Sequence, residues 1–364
     1  MIRAIIALGI CSLLLLIAGC AFKDIDNRSF VFAIGIDKSN KEDMPYRVTL
    51  KVALPIQKID PGKDNTQIFS QDSETISGAV RLIAAKLDKE LDFGQTKIYM
   101  LGEGLAYESI KESLDWLSRK RDFQMEGYLA LGRPSAESVL KLKPKSERYP
   151  GNALILSFGE SGSQKALGLT EYLFDFYRRT TELGMDPYLP VIEVGSEVYI
   201  MNKAALLDKE KVKLILNPDE SLLFMELLEN APPYNFRSKM GDTPIEIVAQ
   251  KFKRHYSIET NNQKAPVIHV KIKIKGITEE TSMPIYNDNW SQLERQIEEE
   301  EIPKYNKLLI KLQKNNIDPL GFGLLYRATH YKRTQDWEDW QSIYPNVKFE
   351  VDMKFSLRGT GLIK

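Results

Sequence analysis

The chain contains 364 residues and carries 50 basic and 50 acidic side chains, so its formal net charge is zero. This balance argues against a nucleic-acid partner, because binding to phosphates depends on a basic face. The length is sufficient for two or three domains with buried cores.

The first residues have the pattern of an export signal. Arg3 is the only charged residue before Lys23, and residues 4–17 are almost entirely apolar. A positive start, an apolar run and small residues before a cleavage site are typical of a signal peptide. The alternative is an uncleaved membrane helix over residues 4–22, which is close to the length that spans a bilayer.

The signal ends in Ile17-Ala18-Gly19-Cys20, which resembles a bacterial lipobox. In a lipobox the cysteine thiol takes a diacylglycerol, and cleavage before it makes the cysteine the new N-terminus. We therefore predict a signal peptide over residues 1–19, recognised through Ile17, Ala18 and Gly19, with S-diacylglycerol and N-acyl groups on Cys20. Two acyl chains would tether the mature chain to a membrane. No cofactor other than this covalent lipid is expected.

The region after the tether alternates between short strands and helices. Residues 30–36 and 46–54 predict the two strands of a hairpin. The remaining elements predicted here are a helix from Ile76, strands at 97–101 and 127–131, one helix over 105–117, a short helix opened by Pro134, a helix from about Leu169 to Gly184, and strands over 191–200.

Two long strands with strict alternation dominate the last third of the chain. The first covers residues 267–275 and the second residues 347–355, each with every second residue apolar. Between them lies a charged helix from Trp290 to about Leu312, which Pro303 is expected to kink. The inward side chains are predicted to be Ile268, Val270, Ile272 and Ile274 in the first strand, and Val347, Phe349, Val351, Met353 and Phe355 in the second.

These elements predict an α+β protein. The helices are few and fall between amphipathic strands, so we expect two to three α+β domains with mainly antiparallel or mixed sheets, and not a doubly wound parallel sheet. The predicted division is a signal peptide at 1–19, an N-terminal region at 20–200 that could hold two subdomains, and a C-terminal domain at 201–364.

Motifs for catalysis or metal binding are missing from the sequence. The three histidines, His255, His269 and His330, do not have the spacing of helical metal ligands, and His269 is interpreted as a solvated surface residue. There is no nucleophile elbow and no phosphate loop. Gly102-Glu103-Gly104 follows a strand, but its acidic centre and missing third glycine argue against phosphate binding. We expect no catalytic residue, no metal site and no enzyme activity.

Two charged segments are interpreted as structural and not as binding or catalytic sites. The acidic run Glu298 to Glu301 points around most of a helix, so it is interpreted as a solvated face. Trp337 and Trp340 share a helix face, for which core packing is favoured and a patch that binds a partner is the alternative.

Several blocks together resemble the Ger(x)C lipoproteins, the C subunits of nutrient germinant receptors of spore-forming bacteria. The blocks are FVFAIGIDK, YRVTLKVALP, LDFGQTKIYMLGEGLA, IDPLGFGLLYR and VKFEVDMKFSLRGTGLI, in the family's order. Two departures are Ala21, Phe22 and Lys23, where the family often has tryptophan and an acidic pair, and KLILNPDE, where it often carries Gly-Trp-Leu.

The resemblance implies a non-enzymatic receptor subunit that triggers spore germination. It would lie on the outer surface of the inner spore membrane or cell membrane, beside the integral membrane A and B subunits. The family fold is α+β in three domains. The main alternative function is a solute-binding lipoprotein of a transporter, and a surface hydrolase is the second.

Overall fold

The computed structural model describes residue 2 and residues 27–53, 66–144, 150–158, 169–228, 234–240, 243–261, 264–281, 290–330 and 335–358. Apart from residue 2, the predicted signal peptide lies outside these residues, and so do Ile17, Ala18, Gly19 and Cys20.

Residues up to 215 contribute nine strands and six helices among the described residues. They are β1 (Arg28–Lys41), β2 (Met44–Ala53), β3 (Thr66–Ser73), α1 (Ile76–Ala84), β4 (Glu90–Asp92), β5 (Ile98–Gly102), α2 (Glu103–Glu108), α3 (Lys111–Arg119), β6 (Tyr128–Arg133), α4 (Ala136–Lys141), α5 (Pro150–Phe158), α6 (Leu173–Thr181), β7 (Tyr188–Val194), β8 (Tyr199–Leu207) and β9 (Val212–Ile215).

The rest of the described chain contributes four strands and four helices. They are α7 (Pro218–Leu228), β10 (Tyr234–Met240), β11 (Thr243–Asn261), β12 (Lys264–Thr281), α8 (Trp290–Lys314), α9 (Phe322–Thr329), α10 (Asp336–Ile343), a 3-10 turn at Tyr344–Asn346 and β13 (Lys348–Leu357).

The first nine strands form one mixed sheet in the order β3-β2-β1-β5-β6-β7-β8-β9, with β4 beside β1. Strands β1, β5, β6 and β7 are parallel, and β4 also pairs with β1 in parallel. Strands β2, β3, β8 and β9 join through antiparallel pairs. The α+β class with mixed sheets is confirmed. The parallel centre was not predicted.

Burial on both faces explains this parallel centre. In β5, Tyr99 and Leu101 pack on the face covered by α1, α2, α3 and α6, whereas Ile98 and Met100 pack against α4 and α5. A parallel sheet buried on both sides has continuously apolar strands. The uninterrupted apolar run of β5 was the signal in the sequence for this arrangement.

The last four strands form a second sheet in the order β10-β11-β12-β13. Strands β11 and β12 form a long antiparallel hairpin, and β13 joins β12 in parallel. The predicted inward residues of β12 and β13 face the core, where Phe349 and Val351 are partly buried and the other seven are buried. Both predicted alternations are therefore confirmed.

Three boundaries differ from the prediction. The single helix expected at 105–117 is two helices, because Ser109 is extended and the amide of Ile110 donates to the carbonyl oxygen of Glu210 at 2.8 Å. Helix α4 begins after Pro134, with Ser135 as its N-cap. Helix α6 ends at Thr181, three residues before Gly184.

The solvated face expected for the acidic run of α8 is found at Glu299 and Glu300, which are exposed, but it is wrong for Glu298 and Glu301. Glu298 accepts a hydrogen bond from the amide of Phe355 at 2.8 Å, and Glu294 accepts one from the amide of Leu357 at 2.8 Å. Glu301 is buried and pairs with Lys304. Helix α8 therefore binds the outer edge of β13 through carboxylates spaced four residues apart.

Trp337 and Trp340 pack in the core, and His269 lies at the surface. Trp340 is buried, and Trp337 packs against the same core, which confirms core packing. His269 lies half-buried at the surface between Glu259 and Glu350, with N–O distances of 3.3 and 3.1 Å.

One hydrophobic core joins the two sheets. It combines Tyr188 and Leu206 of the first sheet with Phe224 of α7 and Ile245 of the second sheet. The rings of Tyr188 and Phe224 meet edge to face, with centroids 5.5 Å apart. The predicted boundary at residues 200–201 falls inside β8, and the division into 20–200 and 201–364 stays a prediction.

Candidate functional site at the junction of the sheets

The described residues contain no arrangement that suits catalysis by a metal. No three His, Cys, Asp or Glu side chains among them are placed to hold a metal ion. Nor does the described part of the chain contain a helix long and apolar enough to cross a membrane. A surface cavity of about 180 Å³ is lined by Arg28 and Asp92. A second cavity of about 320 Å³ lies between α7 and α8.

The Gly102-Glu103-Gly104 segment has a packing role. A Cβ atom on Gly102 would lie 1.8 Å from Oδ1 of Asp37. The buried Asp37 carboxylate accepts hydrogen bonds from the amides of Ala136 and Glu137, at 2.7 and 2.8 Å, at the start of α4. A carboxylate is stabilised at a helix N-terminus by these free amides. The glycine therefore leaves room for a helix cap and not for a phosphate.

A group of buried and partly buried charges lies where two distant segments meet. We call Arg179, Asp186, Lys209 and Asp318 the junction cluster. The amide of Asp186 donates to the carbonyl oxygen of Asp318 at 2.9 Å, and the amide of Asp318 donates to Oδ2 of Asp186 at 2.7 Å. Each aspartate is followed by a proline. Two Asp-Pro segments separated by 132 residues therefore bind one another reciprocally.

Asp318 is the most buried acid of the cluster. Its Oδ1 accepts from the amide of Phe322 at 3.0 Å, and its Oδ2 accepts from the amide of Gly323 at 2.6 Å, which holds the start of α9. Burial raises the pKa of Asp318 to about 7, against the opposing effect of these amides, and nearby Asp186 raises it further. Burial also raises the pKa of Asp186.

Lys209 closes the C-terminal side of α6. Its Nζ donates to the carbonyl oxygens of Arg179, Glu182 and Met185, and it lies 3.7 Å from Oδ1 of Asp186. The last carbonyl groups of a helix have no partner within the helix, so a lysine is a favourable partner for them. Burial lowers the pKa of Lys209, against the attraction of Asp186.

Arg179 reaches from α6 to the second segment. Its Nη1 donates to the carbonyl oxygen of Pro319 at 3.2 Å, and its guanidinium group lies 4.5 Å from the ring centre of Tyr188. Its Nε lies 3.8 Å from the buried Glu171. Burial raises the pKa of Glu171 to about 8, although Arg179 opposes this rise.

Glycines allow the two segments to approach closely. Gly184 has a φ of +95°, and a Cβ atom there would lie 2.5 Å from the amide nitrogen of Leu324 and 2.6 Å from the carbonyl carbon of Gly323. The amide of Leu324 instead donates to the carbonyl oxygen of Gly184 at 2.8 Å. Arg327 adds a further contact, donating to the carbonyl oxygen of Leu183 at 2.8 Å.

The junction cluster joins the two segments through backbone and side-chain hydrogen bonds. Arg179 and Asp186 bond to backbone groups of the facing segment, whereas the Asp318 carboxylate accepts from amides of its own segment. Neither of the two cavities is lined by a member of the junction cluster. The sequence pattern does not predict the cluster, because its members come from distant segments without a shared periodicity. The repeated Asp-Pro pair and the quoted block IDPLGFGLLYR were the available signals.

Comparison with known proteins accounts for nearly the whole chain. Residues 22–194 match the family profile described as the spore germination protein N-terminal domain. Residues 202–361 match the profile described as spore germination B3/GerAC like, C-terminal. These two matches cover both of the described sheets.

Individual relatives agree with the profiles. Spore germination protein GerQC of Bacillus cereus is 25% identical over 306 residues, covering 82% of this chain and 84% of the relative. Spore germination protein KC of Bacillus subtilis (strain 168) is 22% identical, covering 96% of this chain and 93% of the relative. The crystal structure of the GerBC protein covers 90% of this chain and 98% of its own, with a TM-score of 0.59 and 17% identity. The chain belongs to the Ger(x)C family of spore germination proteins.

Proposed function

We propose that this protein is a lipid-anchored, non-enzymatic subunit of a membrane nutrient germinant receptor that triggers spore germination. The observation that carries the proposal is the match of two spore germination profiles over residues 22–194 and 202–361, in a chain that starts with a lipobox-like segment. In this proposal Cys20 carries the lipid.

The position of the first strand agrees with a short tether. Strand β1 starts at Arg28, so residues 21–27 separate the lipidated cysteine from the folded part. Seven extended residues reach at most about 25 Å. The end of the first sheet at which β1 begins would therefore lie within that distance of the membrane.

The junction cluster gives the subunit a role in coupling. We infer that it fixes the second sheet relative to the tethered first sheet, so that a movement of membrane partners is passed on to both. The partners in this proposal are two integral membrane proteins, the A and B subunits of the receptor. The location is the outer surface of the inner spore membrane.

Identification of the proteins that bind this chain would distinguish a receptor subunit from a solute-binding lipoprotein of a transporter. A tagged chain would be cross-linked in spore membranes and captured, and the recovered proteins would be identified by mass spectrometry. We expect two integral membrane proteins in comparable amounts. Recovery of a permease together with an ATPase would instead support a solute-binding lipoprotein.

A further inference from the structure

The outer face of the four-stranded sheet is strongly basic. The strands β11, β12 and β13 bury one set of side chains against α8 and α9, and the alternate set points to solvent. The basic face is defined by five exposed lysines of this outer set: Lys251, Lys253, Lys271, Lys273 and Lys275. The whole chain has no net charge. The positive charge is therefore concentrated locally.

Lysines lie directly opposite one another across these strands. Lys251 faces Lys275 and Lys253 faces Lys273 between β11 and β12. Lys273 also faces Lys354 of β13. Directly opposed side chains have Cβ atoms roughly 5 Å apart, so like charges there destabilise a sheet. The fold retains several such repulsions side by side.

None of the five lysines of the basic face makes an ion pair with a described residue, and the one acid directly opposite any of them is the exposed Asp352 of β13, which faces Lys271. The ion pairs of this sheet lie elsewhere: Lys354 is 3.7 Å from Glu298, and His269 lies between two glutamates. Protection of a sheet edge does not explain the lysines either. Edge strands use lysine to prevent pairing with other chains, but β11 and β12 are the two inner strands of this sheet.

We propose that the basic face is a docking surface for the anionic headgroups of phospholipids. Lysine is depleted in protein–protein interfaces, where arginine and aromatic residues are enriched. The basic face consists of lysines on a sheet whose opposite side packs against α8 and α9. Such a flat array of flexible cations fits the mobile, diffuse charge of an anionic bilayer, which attracts nearby lysines.

The lysine array is compact enough to act as one unit. Lys271 and Lys275 are four residues apart on β12, which corresponds to roughly 13 Å along the strand. Neighbouring strands add about 5 Å each. These distances are comparable to the Debye length of about 8 Å at physiological salt. Counter-charges in a bilayer would relieve the repulsion between the lysines and give the protein a second membrane contact beside its lipid.

The membrane location rests on the proposed function, but the lipid contact can be tested without it. Residues 21–364, which keep every described strand and helix from β1 onward, would be prepared without lipid. Binding would be measured by sedimentation with vesicles that contain phosphatidylglycerol and with vesicles of phosphatidylcholine alone. We expect salt-sensitive binding to the first vesicles and none to the second. Failure of this test would leave the capture of membrane partners unaffected.

A matched pair of variants makes the test specific. The substitutions Lys253→Gln, Lys273→Gln and Lys275→Gln remove three charges from the basic face. Since each lysine near an anionic bilayer contributes roughly five-fold to binding, we expect about a 100-fold loss. The control substitutions Lys111→Gln, Lys211→Gln and Lys307→Gln remove three exposed charges from other elements and are expected to leave binding nearly unchanged. Both variants should melt as the parent does.

Three outcomes would overturn the proposal. The first is absence of binding to phosphatidylglycerol vesicles at low salt. The second is an equal loss in the control variant, which would assign binding to overall charge. The third is binding of soluble polyglutamate, but not of vesicles, by the basic face, which would assign the face to an acidic polypeptide.

Discussion

Asp318 changes charge in a pH range where an exposed aspartate is already ionised. Burial raises its pKa from 3.8 to about 7. Between these values the folded chain holds a proton that the unfolded chain has released, so the free energy of unfolding falls as the pH rises. The contribution is fully present below about pH 4 and is lost by about pH 7. Glu171, with a pKa of about 8, acts in the same direction.

The substitution Asp318→Asn removes this titration. The free energy of unfolding of the parent should fall by about 2–3 kcal/mol more than that of the variant between pH 5 and pH 7.5, by linkage. Urea denaturation at both pH values measures the difference. The asparagine itself will destabilise the protein, so the slopes are compared and not the absolute values. Parallel pH profiles would contradict the account of Asp318.

Gly184 has no room for a side chain. Gly184→Ala would place a methyl group against the backbone of Gly323 and Leu324 in a left-handed conformation. We expect destabilisation by about 2–4 kcal/mol, from strain and overpacking together. Gly104→Ala is the control, since the nearest atom to its Cβ would be 3.9 Å away. The melting temperatures of both variants would be measured. Equal melting temperatures for Gly184→Ala and Gly104→Ala would refute the close approach at Gly184.

Two carboxylates of helix α8 hold the outer edge of strand β13. The variant Glu294→Ala/Glu298→Ala removes the acceptors for the amides of Leu357 and Phe355. Hydrogen bonds to charged groups contribute about 1.5–3 kcal/mol each, and water at the sheet edge should replace part of this. We expect a loss of about 2–3 kcal/mol in urea denaturation. Glu299→Ala, which removes an exposed carboxylate of the same helix, should stay within about 0.5 kcal/mol of the parent.

An element can be predicted from the sequence when its pattern is local, and it is missed when it depends on a distant contact. The alternation in β12 and β13 is local, so their inward residues could be read directly. The break at Ser109 could not, because it depends on a bond from Ile110 to Glu210, a hundred residues later. The role of Glu298 in α8 was missed for the same reason. Its partner is a backbone amide of β13, which no side-chain pattern indicates.

The candidate site was less predictable than the fold. Asp186, Lys209 and Asp318 are ordinary polar residues in their own segments, and only the packing of the two sheets makes them neighbours. The parallel centre of the first sheet was available in the apolar runs of β5 and β6. It was missed because strands of amphipathic type elsewhere favoured antiparallel pairing.

At the scale of the whole molecule, the shared core predicts cooperative unfolding. Tyr188 and Leu206 of the first sheet pack in the same cluster as Phe224 and Ile245, so the loss of either sheet exposes the core of the other. Calorimetry of residues 21–364 should show one transition. Two separate transitions would favour independent units near the predicted division at residues 200–201.

We proposed that this protein is a germinant receptor subunit, which requires that it serve a nutrient response in spore germination. The most direct measurement is germination of spores that lack the gene, scored separately with individual nutrients and after complementation. We predict loss of the response to one nutrient, normal vegetative growth, rescue by the parent chain and poor rescue by Cys20→Ser, because the tether concentrates the subunit near its partners. Normal germination with every nutrient, together with impaired uptake of a solute by growing cells, would contradict the account.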